Sequence, residues 1–150
     1  MRFIDKYIAK NSIDIHATIA GRKIIYLDLK YWIILRDGLE QENDTVARKV
    51  AHRIIELYES RKCVFPVSEV VLWEILKQED KNSLIKTFQL VERLSEGIAI
   101  LGDQQRVKVE FACWYLTNVK IDDFPKLEKL VWSKLPLISG YFFYSLKVEV

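Results

Sequence analysis

One acidic residue lies where a carboxylate is unfavourable unless something stabilises it. Asp28 directly follows the apolar run Ile24-Ile25-Tyr26-Leu27, whose composition and shortness predict a buried strand. A carboxylate at the end of a buried strand needs a hydrogen bond, a cation or a metal ion to offset its lost hydration. In open α/β sheets this carboxyl edge is also where ligands bind. Asp28 is therefore the first candidate for a functional carboxylate.

Three further carboxylates follow apolar runs that resemble the first. Glu74 lies in the second turn of a helix that follows Cys63-Val64-Phe65. A third run, Ile98-Ala99-Ile100-Leu101, is followed by Asp103, which can cap the next helix, and by Glu110 in its second turn. If the runs are parallel strands, their carboxyl ends meet at one sheet edge, where these side chains could converge.

The elements between the first two runs predict how the strands pair. A short helix is expected over Leu29–Arg36, ending at Asp37-Gly38. A longer amphipathic helix follows, with an apolar stripe at steps of three and four: Ala47, Val50, Ala51, Ile54, Leu57 and Tyr58. Because strand–helix–strand crossovers are right-handed, the strands should be parallel and adjacent. We predict an α/β domain with a short parallel sheet flanked by helices.

The rest of the chain is harder to assign. Residues 1–22 are expected to form an N-terminal extension that packs on the sheet, with the α/β domain over residues 23–150. A helix is predicted from Pro125 through Trp132. The run from Pro136 to Leu146 is too apolar to remain in water. It should pack internally, pack against another subunit, or lead into a continuation.

Composition excludes several classes of protein. The 150 residues suit one domain, with 50% apolar and 29% charged residues. A net charge of +2 permits contact with nucleic acid but is below a strongly basic footprint. Cys63 and Cys113 are expected to be free buried thiols, which indicates a reducing cytoplasm, and two histidines are too few for a zinc site. No signal peptide and no membrane span are predicted.

Two stretches resemble a known family. Tyr26-Leu-Asp-Leu-Lys-Tyr-Trp-Ile and Pro66-Val-Ser-Glu-Val-Val-Leu-Trp-Glu-Ile-Leu are similar to motifs of the PIN-like nucleases, in particular a bacterial subgroup, over about residues 23–101. The resemblance implies PIN-like topology, incomplete at the C-terminus, and a metal-dependent endoribonuclease that acts in the cytoplasm as a bacterial toxin or defence component. RNA would be its partner, together with an antitoxin, another protein or a second copy of the chain.

The resemblance also implies roles for individual residues. Asp28, Glu74 and Glu110 would be catalytic and would hold Mg²⁺ or Mn²⁺, with Asp103 competing as a metal ligand. Such ions prefer carboxylate oxygens and activate water for attack on a phosphodiester. Lys30 and Ser68 would bind substrate, and an aromatic residue after Lys30, Tyr31 or Trp32, would stack on a base.

Plainer interpretations remain open for the same residues. Asp28 could only cap the following helix, and Glu74 and Glu110 could be solvated surface residues. The tryptophans at positions 32, 73 and 114 lie on apolar helical faces, which favours core positions. The chain could also be a PIN-like interaction or nucleic-acid-binding module without catalysis, or the N-terminal part of a larger nuclease. An Asp28–Lys30 ion pair with a solvent-facing Glu74 would argue against a nuclease.

Overall fold

The computed structural model describes residues 3–121 and 124–138, which form a mixed α/β structure that is mostly helical. No helix within these ranges has both the length and the apolar character needed to cross a membrane. In chain order the elements are α1 (Phe3–Ile19), β1 (Lys23–Ile24), α2 (Leu29–Glu40), α3 (Val46–Glu59), β2 (Cys63–Val64), α4 (Glu69–Leu76), α5 (Lys81–Ser95), β3 (Ile98–Ile100), α6 (Asp103–Asn118), a 3-10 turn (Leu127–Lys129), β4 (Trp132–Lys134) and α7 (Leu135–Ile138).

The chain divides into two compact units. The central unit is Gly21–Gly97 and contains β1, β2 and the helices α2 to α5. The terminal unit combines Met1–Ala20 with Ile98–Val150, so it contains α1 and the elements from β3 onward.

In the central unit, β1 and β2 form the predicted parallel pair. Lys23 is in register with Cys63 and Ile24 with Val64, and the Ile25 amide donates to the Val64 carbonyl at 3.0 Å. The parallel, adjacent arrangement expected from the crossover rule is confirmed. The prediction that the first run is buried throughout is wrong, because Ile24 and Tyr26 are exposed whereas Leu27 is buried. This alternation is what an extended chain with one solvent-facing side produces.

Helix α2 runs through the predicted stop at Asp37-Gly38 and ends at Glu40. Helix α2 packs closely against α3, and this packing explains the glycine at position 38. A Cβ at Gly38 would lie 2.6 Å from the Ala47 carbonyl oxygen. Glycine here permits two helix backbones to approach and does not end the helix. The core of the unit includes the fully buried side chains of Trp32, Phe65 and Ile75.

An ion pair joins the two ends of the central unit. The Arg22 guanidinium donates to both carboxylate oxygens of Glu96, at 2.6 and 3.0 Å, and to the Cys63 carbonyl at 2.6 Å. Arg61 makes a second ion pair with Glu96 at 3.2 Å. The hydrogen bonds from Arg22 are the main reason that the pKa of Glu96 is lowered, against the opposing effect of burial. The contact fixes β2 and the end of α5 to the residue preceding β1.

The terminal unit contains an antiparallel strand pair. β3 pairs with β4, with Ala99 in register with Ser133, so parallel pairing in the described part of the chain is confined to β1 and β2. Helix α1 packs on β4, and the Ser12 hydroxyl accepts from the Trp132 amide at 2.9 Å. The helix predicted from Pro125 through Trp132 is wrong, because only a 3-10 turn forms before the chain enters β4.

Helix α6 packs with its less apolar side. The spacing of Val107, Phe111, Trp114 and Tyr115 predicts a helical face that packs inward, but each of these residues is exposed, at between 53% and 64%. Val109, Ala112 and Leu116 lie on the other side of the helix and are only half-buried. No residue of α6 is buried. The spacing therefore identifies the apolar stripe of α6 but does not predict the side on which the helix packs.

Candidate functional site

An open groove of about 450 Å³ lies on the central unit, at the start of α2 and beside α4. It brings together three of the predicted site residues. Its lining consists of Asp28, Leu29, Lys30, Ile33, Ile34 and Glu74. Two acidic residues and one lysine therefore line a groove whose other lining residues are apolar.

Asp28 reaches this groove as the N-cap of α2. Its Oδ1 accepts from the Leu29 amide at 2.8 Å, and its carbonyl accepts from the Tyr31 amide at 2.9 Å. The capping role anticipated as an alternative is therefore present. The cap occupies one carboxylate oxygen, and within residues 3–121 and 124–138 the other has no hydrogen-bond or ion-pair partner, Lys30 included. The exposed carboxylate can cap the helix and still offer an oxygen to a ligand.

Glu74 reaches the groove from the second turn of α4. Its side chain is half-buried, and its carboxylate forms no hydrogen bond or ion pair with any described residue. Val71 and Ile75 anchor the helix on either side of it, since both are buried in the core. A half-buried carboxylate with no protein partner is unfavourable unless water or a cation completes its coordination.

Ser68 positions α4 relative to the end of β1. Its hydroxyl accepts from the Val71 amide at 3.3 Å, which caps α4. The same oxygen shares a hydrogen bond of 2.8 Å with the Tyr26 hydroxyl. Because Tyr26 lies two residues before Asp28, this contact fixes the helix that carries Glu74 to the segment that carries Asp28. Substrate binding by Ser68 stays a prediction, since the observed contacts are structural.

Glu110 and Asp103 occupy a different setting on α6. Arg106 forms ion pairs with both, at 3.3 Å to Asp103 and 3.5 Å to Glu110. These contacts are local to one helix, at spacings of three and four residues, and they match the solvated helical face considered as the alternative. Among the described residues, no group of three or more histidine, cysteine, aspartate or glutamate side chains could hold a metal ion.

The aromatic residues near the groove divide into core and surface. Trp32 is fully buried and its indole donates to the Leu27 carbonyl at 3.1 Å, so it cannot stack on a base. Tyr31 is exposed beside Lys30 and keeps that role as a prediction. The expected core position is correct for Trp32 and wrong for Trp73 and Trp114, both of which are more than half exposed.

Sequence reasoning missed three residues of this region. Ile33 and Ile34 form part of the groove wall, and the signal for them was present, because Ile33 lies four residues after Leu29 on the same side of a helix. Tyr26 belongs to the apolar run that predicts the first strand. Its alternation with Leu27 could have indicated a solvent-facing hydroxyl on the side of the chain shared with Asp28.

Comparisons with family models, with curated proteins and with solved structures found no match to this chain.

Proposed function

We propose that the groove formed by Asp28 and Glu74 binds Mg²⁺ or Mn²⁺ and that the chain is a PIN-like endoribonuclease. The observation that carries the proposal is that Asp28 and Glu74 line one groove and that, among the described residues, one oxygen of Asp28 and the carboxylate of Glu74 have no hydrogen-bond or ion-pair partner. The parallel β1–β2 pair supports a PIN-like topology, because it places the ends of both strands at one edge. A toxin or defence role, with an antitoxin or other protein partner, belongs to the same proposal.

The donor set fits a hard divalent cation. Mg²⁺ in proteins is commonly held by one or two carboxylates, with water and substrate phosphate completing its coordination. When bound, such an ion supplies an activated water for in-line attack on a phosphodiester and neutralises charge on the leaving oxygen. The ion pairs of Glu110 and Asp103 with Arg106 favour a site of two carboxylates, Asp28 and Glu74, over a larger set.

The remaining groove residues would orient the substrate. Lys30 offers three donors on a flexible stem, which suits a phosphate oxygen. Leu29, Ile33 and Ile34 line the same groove with apolar surface. Tyr31 would stack on a neighbouring base.

The test is cleavage of single-stranded RNA with Mn²⁺ or Mg²⁺ by the wild type, Asp28→Asn and Glu74→Gln. Both substitutions should lower the cleavage rate by on the order of 100-fold or more, which corresponds to about 2.7 kcal/mol of transition-state stabilisation. Asparagine is a good N-cap, so Asp28→Asn removes the charge while keeping the end of α2. Glu110→Gln is the matched control and should retain wild-type activity. Equal activity in Asp28→Asn and the wild type would remove Asp28 from the proposal.

A second candidate is a PIN-like module that binds nucleic acid without cleaving it. It is favoured by one observation, that fewer than three acids come together among the described residues. In that case RNA binding should survive chelation of divalent cations and the Asp28→Asn substitution. It should weaken with rising salt and with Lys30→Ala. Binding without cleavage in the assay above would select this candidate.

A further inference from the structure

Strand β1 is paired along one edge only. The amides of Lys23 and Ile25 donate to carbonyls of the β2 segment, at 2.8 and 3.0 Å. Because the backbone groups of alternate residues in a strand point to opposite edges, the amides and carbonyls of Ile24 and Tyr26 point away from β2. Within residues 3–121 and 124–138 these four groups form no hydrogen bond, and β2 is the strand neighbour of β1.

The side chains along this edge are exposed as well. Ile24 is 50% exposed and Tyr26 is 49% exposed, and both lie on one face of the strand. The Tyr26 hydroxyl shares a hydrogen bond of 2.8 Å with the Ser68 hydroxyl, which holds the ring in place. A row of unpaired amides and carbonyls is a template for a further strand, and a sheet of two strands gains stability from it. The chemistry of this edge therefore fits an extended backbone.

We propose that β1 pairs with β1 of a second copy of the chain, antiparallel, about a two-fold axis at Ile25. In this register Ile24 lies opposite Tyr26 of the second copy, and the two residues exchange both of their backbone hydrogen bonds. The axis repeats the exchange on its other side, so all four unpaired groups of each chain are used. The two small sheets become one sheet of four strands, in the order β2-β1-β1-β2.

The side chains in this register favour a second copy of the chain as the occupant. On each side of the axis the β-branched Ile24 meets the aromatic Tyr26, and such cross-strand pairs stabilise a sheet. Further from the axis, Arg22 lies opposite Asp28, so the pairing brings opposite charges together and not like ones. The strand that fits the edge in backbone pattern, apolar pairing and charge is therefore β1 itself.

Sedimentation equilibrium of the full chain measures the association. A chelator is present throughout, so the result does not depend on the proposed metal site. The wild type should form a dimer that dissociates on dilution. Ile24→Pro removes an amide that points away from β2 and keeps the amides of Lys23 and Ile25, so it should weaken the dimer at least about tenfold.

Ile24→Lys is the second edge variant if the proline variant fails to fold, and it should weaken the dimer in the same direction, because lysine on an edge opposes strand pairing. The matched control is Val46→Lys, at a position 79% exposed on α3, and it should associate like the wild type. A wild type that is monomeric at every concentration, or a dimer that neither edge variant weakens, would overturn the proposal.

Disulfide trapping tests the register. Ile25 lies on the axis, where the two copies form a non-hydrogen-bonded pair with Cα atoms about 4.5 Å apart, a distance that a disulfide can span. Ile25→Cys and the control Lys23→Cys are each combined with Cys113→Ser, while the buried Cys63 is kept. Lys23 is the more exposed position, but it lies about 13 Å from its equivalent in the second copy. Mild oxidation should link Ile25→Cys into dimers far more than Lys23→Cys. Equal trapping of the two variants, or more trapping of Lys23→Cys, would overturn the proposal.

Discussion

The acids of the groove and the acids of α6 have similar settings in the sequence and different settings in the structure. Asp28 and Glu74 lie on elements whose neighbouring apolar residues, Leu27 and Ile75, are buried. Asp103 and Glu110 lie on a helix without a buried residue and are paired with Arg106. An acidic residue that follows an apolar run is therefore a useful candidate for a functional site where its neighbouring apolar residues are buried in a core. Where they are not, the acid forms the local ion pair that helix spacing allows.

The first way to test this comparison is to remove the core that holds the groove. Trp32 is fully buried in α2 and hydrogen-bonded to Leu27, next to Asp28. Trp32→Ala should lower the free energy of unfolding by about 3–5 kcal/mol, because it leaves a large cavity. Trp73→Ala, at a residue 55% exposed on the helix that carries Glu74, should cost less than about 1 kcal/mol. Denaturant titration of both variants measures the difference, and equal losses would show that the groove is not supported by the core.

The second test concerns the contact between α2 and α3. Alanine in place of glycine within a helix stabilises it by about 0.5–1 kcal/mol when there is space for the methyl group. At Gly38 the added Cβ would meet the backbone of Ala47 at 2.6 Å, so Gly38→Ala should instead destabilise by about 1–3 kcal/mol. Thermal unfolding gives the sign of the change. A stabilised variant would mean that the helices are less closely packed than described.

These cases show which parts of the fold could be predicted from the sequence. The parallel β1–β2 pair followed from chain order and handedness, which do not depend on details of packing. The passage of α2 through Gly38 could not be predicted, since glycine signals both a helix end and a close helix contact. The exposed stripe of α6 shows the same limit, because periodicity identifies an apolar face and not the surface that covers it.

The sequence was sufficient to place Asp28 and Glu74 near one edge, because both follow runs that pair in parallel. The ion pairs of Arg106 could have been anticipated from spacing alone, since Asp103 and Glu110 lie three and four residues from it. Pro125 predicts a helix through Trp132 because proline suits a first helical turn, but the antiparallel pairing with β3, which local sequence does not reveal, makes Trp132–Lys134 a strand.

The third test uses the pH dependence of the central unit. The pKa of Glu96 is lowered chiefly by hydrogen bonds from Arg22, so its carboxylate stabilises the folded state above its unfolded pKa near 4.3. This contribution is lost as the pH falls through the lower folded-state pKa. Glu96→Gln should therefore cost about 1–2 kcal/mol at neutral pH, and the difference from the wild type should narrow below about pH 4.

The control for this test is Glu92→Gln, an exposed position on the same helix. Its unfolding free energy should follow the wild type over the same pH range. Urea titrations between neutral pH and about pH 3 measure both variants. A Glu96→Gln deficit that is constant with pH would mean that the loss comes from packing and not from the ionised carboxylate.

The most direct test of the central claim is a titration with Mn²⁺, followed by the decrease of the free-ion electron paramagnetic resonance signal. The wild type and Glu110→Gln should bind one ion with the same affinity. Asp28→Asn and Glu74→Gln should each weaken binding by at least about 10-fold, because each removes a charged oxygen ligand. Equal Mn²⁺ affinity in all four proteins would contradict the assignment of the Asp28–Glu74 groove as a metal site.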